Sequence, residues 1–378
     1  MGYIRTFLAM SVAIGHWGPL YGVVLINAQI AVLLFFIISG FYMSLIINER
    51  YRLLKNWRRK FILNRALRIY PAYFVVLALM IVHFTVNNVE NPFTIPDPDI
   101  GPALNTLFAV LNITLVGEDV ISGLMPLYDS VQRSLVPQSW TLGTEFLFYF
   151  LAPFLIFSTP RKYRAIVAGV ALASLSLRLS IFHYPNEIFG FLNGRIGIGE
   201  DIARRLVASD PGRYRIFPTT LVMFLMGYFS YLIYLKVQGR RWAVPFGKIL
   251  FAGLIAACGY YIIVFGKLDS PLYVLDKDSL PVWALYIFAL FAMPFIFLAT
   301  KYNRFDAFLG SLSFPIYISH IFIKAVLEGQ WARFFDAPRP PEPVFMGIVL
   351  VSTIVFSILL VQLIEKPIDG FRRRISER

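Results

Sequence analysis

Cysteine is nearly missing from this chain: Cys258 stands alone, inside an apolar run. One thiol excludes a disulfide framework and any cysteine-based metal site. Charge is scarce as well, at 15% of residues, where soluble domains carry about 25%. With 58% of residues hydrophobic, the chain needs an apolar solvent around it, not only an apolar core. Histidine occurs four times, at His16, His83, His183 and His320, too scattered for a ligand cluster, so no metal is expected. No internal repeat is visible, which leaves an inverted-repeat transporter without its usual signature.

What the sequence does contain is a series of apolar runs. A helix needs about 20 residues to cross a hydrocarbon core of ~30 Å. On that ruler, ten candidate spans lie near residues 4–24, 28–48, 67–87, 141–158, 165–183, 216–236, 249–266, 281–299, 310–328 and 343–363. The reading is an all-α, polytopic transmembrane bundle forming a single domain over residues 1–378. With the N-terminus inside, Lys and Arg number 23 on inside segments and 10 outside, with Arg178 and Lys324 left within spans. The positive-inside rule then puts both termini in the cytoplasm. The net charge of +13 therefore marks topology, and no nucleic-acid partner is expected. Arg5 before the first run resembles a signal peptide, but His16, Pro19, the missing small-x-small site and the second run close behind favour a retained helix.

Two outer segments stand out, 88–140 and 184–215. The first is rich in Pro and acids and is expected to fold over the outer mouth. The second carries five arginines, against the rule, and its residues 195–207 suit an amphipathic helix on the outer surface.

Ionisable residues within a bilayer are costly and mark functional sites by default. His16 lies roughly 18 Å from the cytoplasmic end of the first span, Glu145 roughly 24 Å and His320 roughly 15 Å along theirs, at 1.5 Å per residue. Ser39 falls near the middle of the second span. One polar layer near the midplane can hold all four. A neutral imidazole beside a carboxylate is the usual general base for a hydroxyl attacking an acyl carbon, so His16 and Glu145 are the candidate pair. The alternative is that they only tie helices together. For His320 no partner is legible, and it reads as structural. Arg5 stands eleven residues before His16, on roughly the same helical face, and Arg65 and Arg68 share a face at the inner end of the third span. Such cations suit the phosphates of a donor, or express topology alone.

These residues fall in motifs. Arg5, ten residues and His16 resemble the Arg-x10-His of acyltransferase family 3, the bacterial membrane acyltransferases with ten helices. Phe35-Phe36-Ile37-Ile38-Ser39-Gly40-Phe41 is similar to its Phe-Phe-x-x-Ser-Gly-Phe, and Arg65-Ala66-Leu67-Arg68-Ile69-Tyr70-Pro71 to its Arg-x-x-Arg followed by Tyr-Pro. Trp140-Thr141-Leu142 with Glu145, Phe148 and Tyr149 resembles its Trp-Ser-Leu-x-x-Glu-x-x-Phe-Tyr. Ser313-Phe314 with Tyr317 and His320 resembles its Ser-Tyr-x-x-Tyr-x-x-His, and Glu365-Lys366-Pro367 its closing Glu-x-Pro. Six motifs stand in family order from the first span to the last. The departures are Ala31-Val32-Leu33-Leu34 where relatives often have Gly-Val-Asp-Leu, Phe314 for Tyr, Thr141 for Ser, and no esterase-like extension.

The resemblance implies an O-acetyltransferase of the inner (cytoplasmic) membrane. It would move an acetyl group from cytoplasmic acetyl-CoA to a hydroxyl of an extracytoplasmic or lipid-linked glycan. His16 and Glu145 would be catalytic, Arg5, Arg65 and Arg68 would bind the donor, and Ser39, Tyr149, Tyr317 and His320 are further pocket candidates. Partners would be acyl-CoA, the glycan and membrane lipids, with Trp140 and Tyr128 available to stack on sugars or to anchor at the interface. Other readings are a proton-coupled transporter or exporter, an acyltransferase for a small cytoplasmic acceptor, and an inert membrane scaffold.

Overall fold

Backbone polar groups in a bilayer find no water, so a spanning segment must pair its own N–H and C=O groups, and helix is the solution open to one strand of chain. The computed structural model describes residues 1–378 except 100, 120–133, 157–160, 198, 201–202, 205–206, 208–213, 266–274, 337 and 378. Most of the described residues are helical, and there is no strand among them. We number the main helices α1 (Gly2–Trp17), α2 (Ala28–Glu49), α3 (Trp57–Val86), α4 (Gly101–Thr114), α5 (Trp140–Leu155), α6 (Arg161–His183), α7 (Phe217–Val237), α8 (Ala243–Phe265), α9 (Leu280–Thr300), α10 (Arg304–Phe335), α11 (Glu342–Leu360) and α12 (Lys366–Glu377). Among the described residues, eight helical stretches are long and apolar enough to cross a membrane.

Eight of the expected spans coincide with those stretches. The other two, α1 and α5, are helices of 16 residues, about 24 Å long at 1.5 Å per residue. The first run was expected to continue to residue 24, but α1 stops at Trp17 because Gly18 adopts φ 99°, a left-handed conformation that breaks the helix, with Pro19 next. The third span begins ten residues early, at Trp57, so its basic segment is helical too. Helix α4 and the short 3₁₀ turn Pro137–Ser139 lie within the segment 88–140, which was expected outside the membrane. In the segment 184–215, Pro185–Gly190 is helical and Phe191–Ile196 is a π-helix with Phe191 and Ile196 exposed. Tyr128 and much of 195–207 lie outside the described residues.

The chain divides into two compact units, Met1–Tyr42 with Gly227–Arg373, and Met43–Met226 with Arg374–Arg378. In the first, α1 packs along α10. The two approach backbone to backbone, since a Cβ on Gly2 would lie 1.6 Å from the Asp306 carbonyl oxygen and one on Gly310 would lie 3.0 Å from Gly2 Cα. Small residues permit this contact between membrane helices. Polar ties complete it: the Met1 amine and the Tyr3 N–H donate to the Asp306 carboxylate at 2.7 and 3.0 Å, and Thr6 Oγ1 donates to the Leu309 carbonyl at 2.7 Å. Asn303 caps α10 by accepting from the N–H groups of Phe305 and Asp306. Helix α11 packs on α10 and runs through a π-helical turn, Val361–Glu365, into α12.

The second unit holds α3 against α5, with Tyr70 edge-on to Phe146 at 5.4 Å. Helix α4 joins through Tyr70 and Tyr73, whose hydroxyls donate to the Thr114 and Asn112 carbonyls. Phe148 of α5 stacks on Phe224 at 4.2 Å. Arg178, buried within a span, donates to the Thr219 carbonyl at 3.4 Å.

Candidate functional site

The last turn of α1 carries His16, and three contacts hold that turn in place. Gly18 N–H donates to the Ile14 carbonyl at 2.9 Å and closes the helix. Lys324 Nζ, from α10, donates to the Trp17 carbonyl at 3.1 Å, a cation at a helix C-terminus, where the dipole favours it. Trp17 Nε1 donates to the His320 carbonyl at 3.0 Å.

His16 and His320 face each other across this clamp, with ring centroids 5.1 Å apart and planes 25° from parallel. His16 Nδ1 lies 3.0 Å from His320 Nε2. His320 Nδ1 lies 2.7 Å from the Tyr317 carbonyl oxygen. A carbonyl only accepts, so this network assigns the proton to His320 Nδ1 and leaves Nε2 with its lone pair. His16 Nδ1 must then be the donor between the rings, and His16 Nε2 keeps a basic lone pair. His320 is fully buried while His16 is exposed, so the inner ring is an orienting partner and the outer ring is the one a reactant can reach. The sequence reading had left His320 without a partner. Histidines 304 positions apart carry no mutual signal in a sequence, and helix pairing alone brings them together.

Other candidates of the same unit lie along this wall. Tyr317, one turn before His320, is buried and edge-on to Phe35 of α2 at 6.1 Å. Ser39 is half-buried, one turn beyond Phe35. Arg5 is half-buried on α1, and an unbroken helix from Gly2 to Trp17 puts it about 16 Å from His16 on nearly the same face.

The second unit assembles a different group. Glu145 is half-buried and accepts from the Tyr149 hydroxyl one turn on. The Tyr149 ring meets Phe61 at 6.3 Å, and the Arg65 guanidinium sits 5.9 Å from the centre of that same Phe61 ring. Arg65 is 9% exposed. It donates to the Asn64 side chain at 2.9 Å, yet its Nε has no hydrogen-bond partner among the described residues. A buried donor left unpaired is costly, so this nitrogen marks a place for an acceptor atom. Arg68, three residues on, is half-buried.

Sequence reasoning passed over two groups. Lys324 was set aside as a cation within a span, but it holds the end of α1. Glu118 is fully buried and accepts from Ser134 and Ser139 at 2.7 and 2.5 Å, just before α5 begins. An acid in a Pro-rich outer segment reads as solvated, and only the packed structure shows otherwise.

A family model described as an acyltransferase domain matches residues 1–362. An uncharacterized protein of Aquifex aeolicus (strain VF5) is 23% identical over 247 residues, which cover 64% of this chain and 91% of that protein. No solved structure matches the chain.

Proposed function

This chain belongs to acyltransferase family 3, and from that premise we propose that it moves an acetyl group from cytoplasmic acetyl-CoA to a hydroxyl of an extracytoplasmic or lipid-linked glycan. The observation that carries the reading is the histidine pair, in which buried His320, itself held by the Tyr317 carbonyl, accepts from His16 Nδ1 and orients the exposed His16 ring. In direct transfer, the acceptor O–H gives its proton to His16 Nε2 while its oxygen attacks the thioester carbonyl carbon. The C–S bond breaks, and the departing CoA thiolate takes that proton back from the imidazolium. During the charged interval His16 Nδ1–H still donates to neutral His320 Nε2, which stabilises the cation without a second charge.

In the same reading Glu145 is the orienting partner or proton acceptor of His16, and Arg5, Arg65 and Arg68 hold the donor's phosphates. The unpaired Nε of Arg65 supports that role for the arginine pair. We place the protein in the inner (cytoplasmic) membrane with ten crossings, α1 and α5 included, and both termini inside, on the distribution of Lys and Arg.

The test uses purified protein in vesicles supplied with acetyl-CoA and candidate glycan acceptors, with free CoA and acetylated product measured together. Acceptor-dependent CoA release is expected. His16→Ala should remove about 10²–10⁴-fold of the rate, the usual worth of a general base. His320→Ala should lower kcat about tenfold with KM unchanged, since it orients a base and touches no substrate. Transfer at the normal rate by His16→Ala would refute the assignment.

A further inference from the structure

In the first unit, α1, α2, α8 and α9 line a half-open cavity of about 540 Å³. Its lining includes Phe7, Leu34, Phe251, Gly259, Phe288 and Ile296, and no charged side chain takes part. The volume lies within the range of about 300–1,000 Å³ found for ligand sites. Left empty, such a space would forfeit dispersion contacts on every wall, and water has no polar partners there to hold it. Helix α8 is the least buried of the spanning stretches, with 6% of its apolar window covered, so the space flanks a helix that already faces hydrocarbon.

One end of the cavity carries aromatic rings with cations close by in the chain. Tyr3 packs on Phe251 at 5.4 Å and on Phe305 at 5.8 Å, forming an aromatic lip. The helix ends that carry this lip also carry three exposed cations: Lys248, one turn before Phe251, Arg304, next to Phe305, and Lys301, directly after α9. An apolar slot beside helix ends that carry exposed cations is complementary to one molecule type, a hydrocarbon chain ending in an anionic headgroup.

We propose that this cavity is a binding site for one acyl chain of an anionic membrane phospholipid, whose headgroup is held by Lys248, Lys301 and Arg304. The site stands apart from the acyl transfer described above and is expected to be filled whether or not the enzyme is turning over.

Two glycines of α8 make the test. A Cβ on Gly259, which lines the cavity, or on Gly253, which does not, would meet nothing within 4 Å. Gly259→Phe should fill the slot, and Gly253→Phe adds the same ring elsewhere on the helix. Ala289→Phe, from the α9 wall, provides a second plug. The full chain is reconstituted in vesicles of equal phosphatidylglycerol and phosphatidylcholine, extracted in mild detergent, and its retained lipid counted by native mass spectrometry. Wild type and Gly253→Phe should each keep one phosphatidylglycerol, and both plugging variants should keep about tenfold less, as expected when several methylenes lose their burial. Lys248→Glu with Arg304→Glu should abolish the preference for phosphatidylglycerol. Equal retention by wild type and the plugged variants would mean surrounding lipid only and would overturn the proposal. So would a free fatty acid in place of the phospholipid, or a lipid-free dimer whose second copy fills the slot.

Discussion

Two imidazoles and a backbone carbonyl fix a proton's place here, and in the proposed reaction that chain of donors is what would make His16 a directed base. The same logic, applied to Arg65, yields a prediction for the donor. Among the described residues its buried Nε has no acceptor, so Arg65→Gln should raise KM for acetyl-CoA about tenfold, the scale of one charge-assisted hydrogen bond, with kcat little changed. Arg65→Lys should recover only part of the loss, because an ammonium cannot reproduce the guanidinium's donor geometry. Unchanged KM in Arg65→Gln would remove this residue from the donor site. His16 and Arg65 were legible as residue types within ordered motifs. His320's pairing and the missing acceptor at Arg65 were not, because both depend on which atoms face each other after packing.

Helix α1 ends directly after the residue proposed as the base. Gly18 breaks it one residue after Trp17, and Lys324 and Trp17 fasten that end to α10. Lys324→Met should therefore loosen the turn that carries His16. We expect a kcat loss of about tenfold with a modest loss of thermal stability, since Lys324 is half-buried and a cation at a helix C-terminus contributes about 0.3–1 kcal/mol at the surface and up to ~2 kcal/mol when partly buried. Lys324→Arg should restore most of the rate, and a full rate in Lys324→Met would show the clamp to be idle. Hydrophobic runs located eight spanning stretches well, because twenty apolar residues in a row have few alternatives to crossing a bilayer. The runs did not reveal where α1 would stop, where α3 would start, or that α4 lies inside the segment 88–140. Those boundaries depend on single residues and on tertiary contacts, which average hydropathy does not resolve.

For the molecule as a whole, the proposed orientation can be read directly with introduced thiols. In a Cys258→Ala background, Lys55→Cys and Glu90→Cys are both exposed positions. A membrane-impermeant maleimide added to intact cells should label Glu90→Cys and spare Lys55→Cys, and the reverse pattern would invert the topology. By itself the sequence determined that this is a helical membrane protein of acyltransferase family 3, since composition dictates the solvent and the ordered motifs dictate the kinship. Only the tertiary structure decided that His16 meets His320, that α10 holds the end of α1, and that four helices leave an apolar slot beside them. The reason is physical: partition into lipid depends on the sum of local hydrophobicity along the chain, whereas hydrogen-bond partners and cavities depend on surfaces brought together from positions hundreds of residues apart.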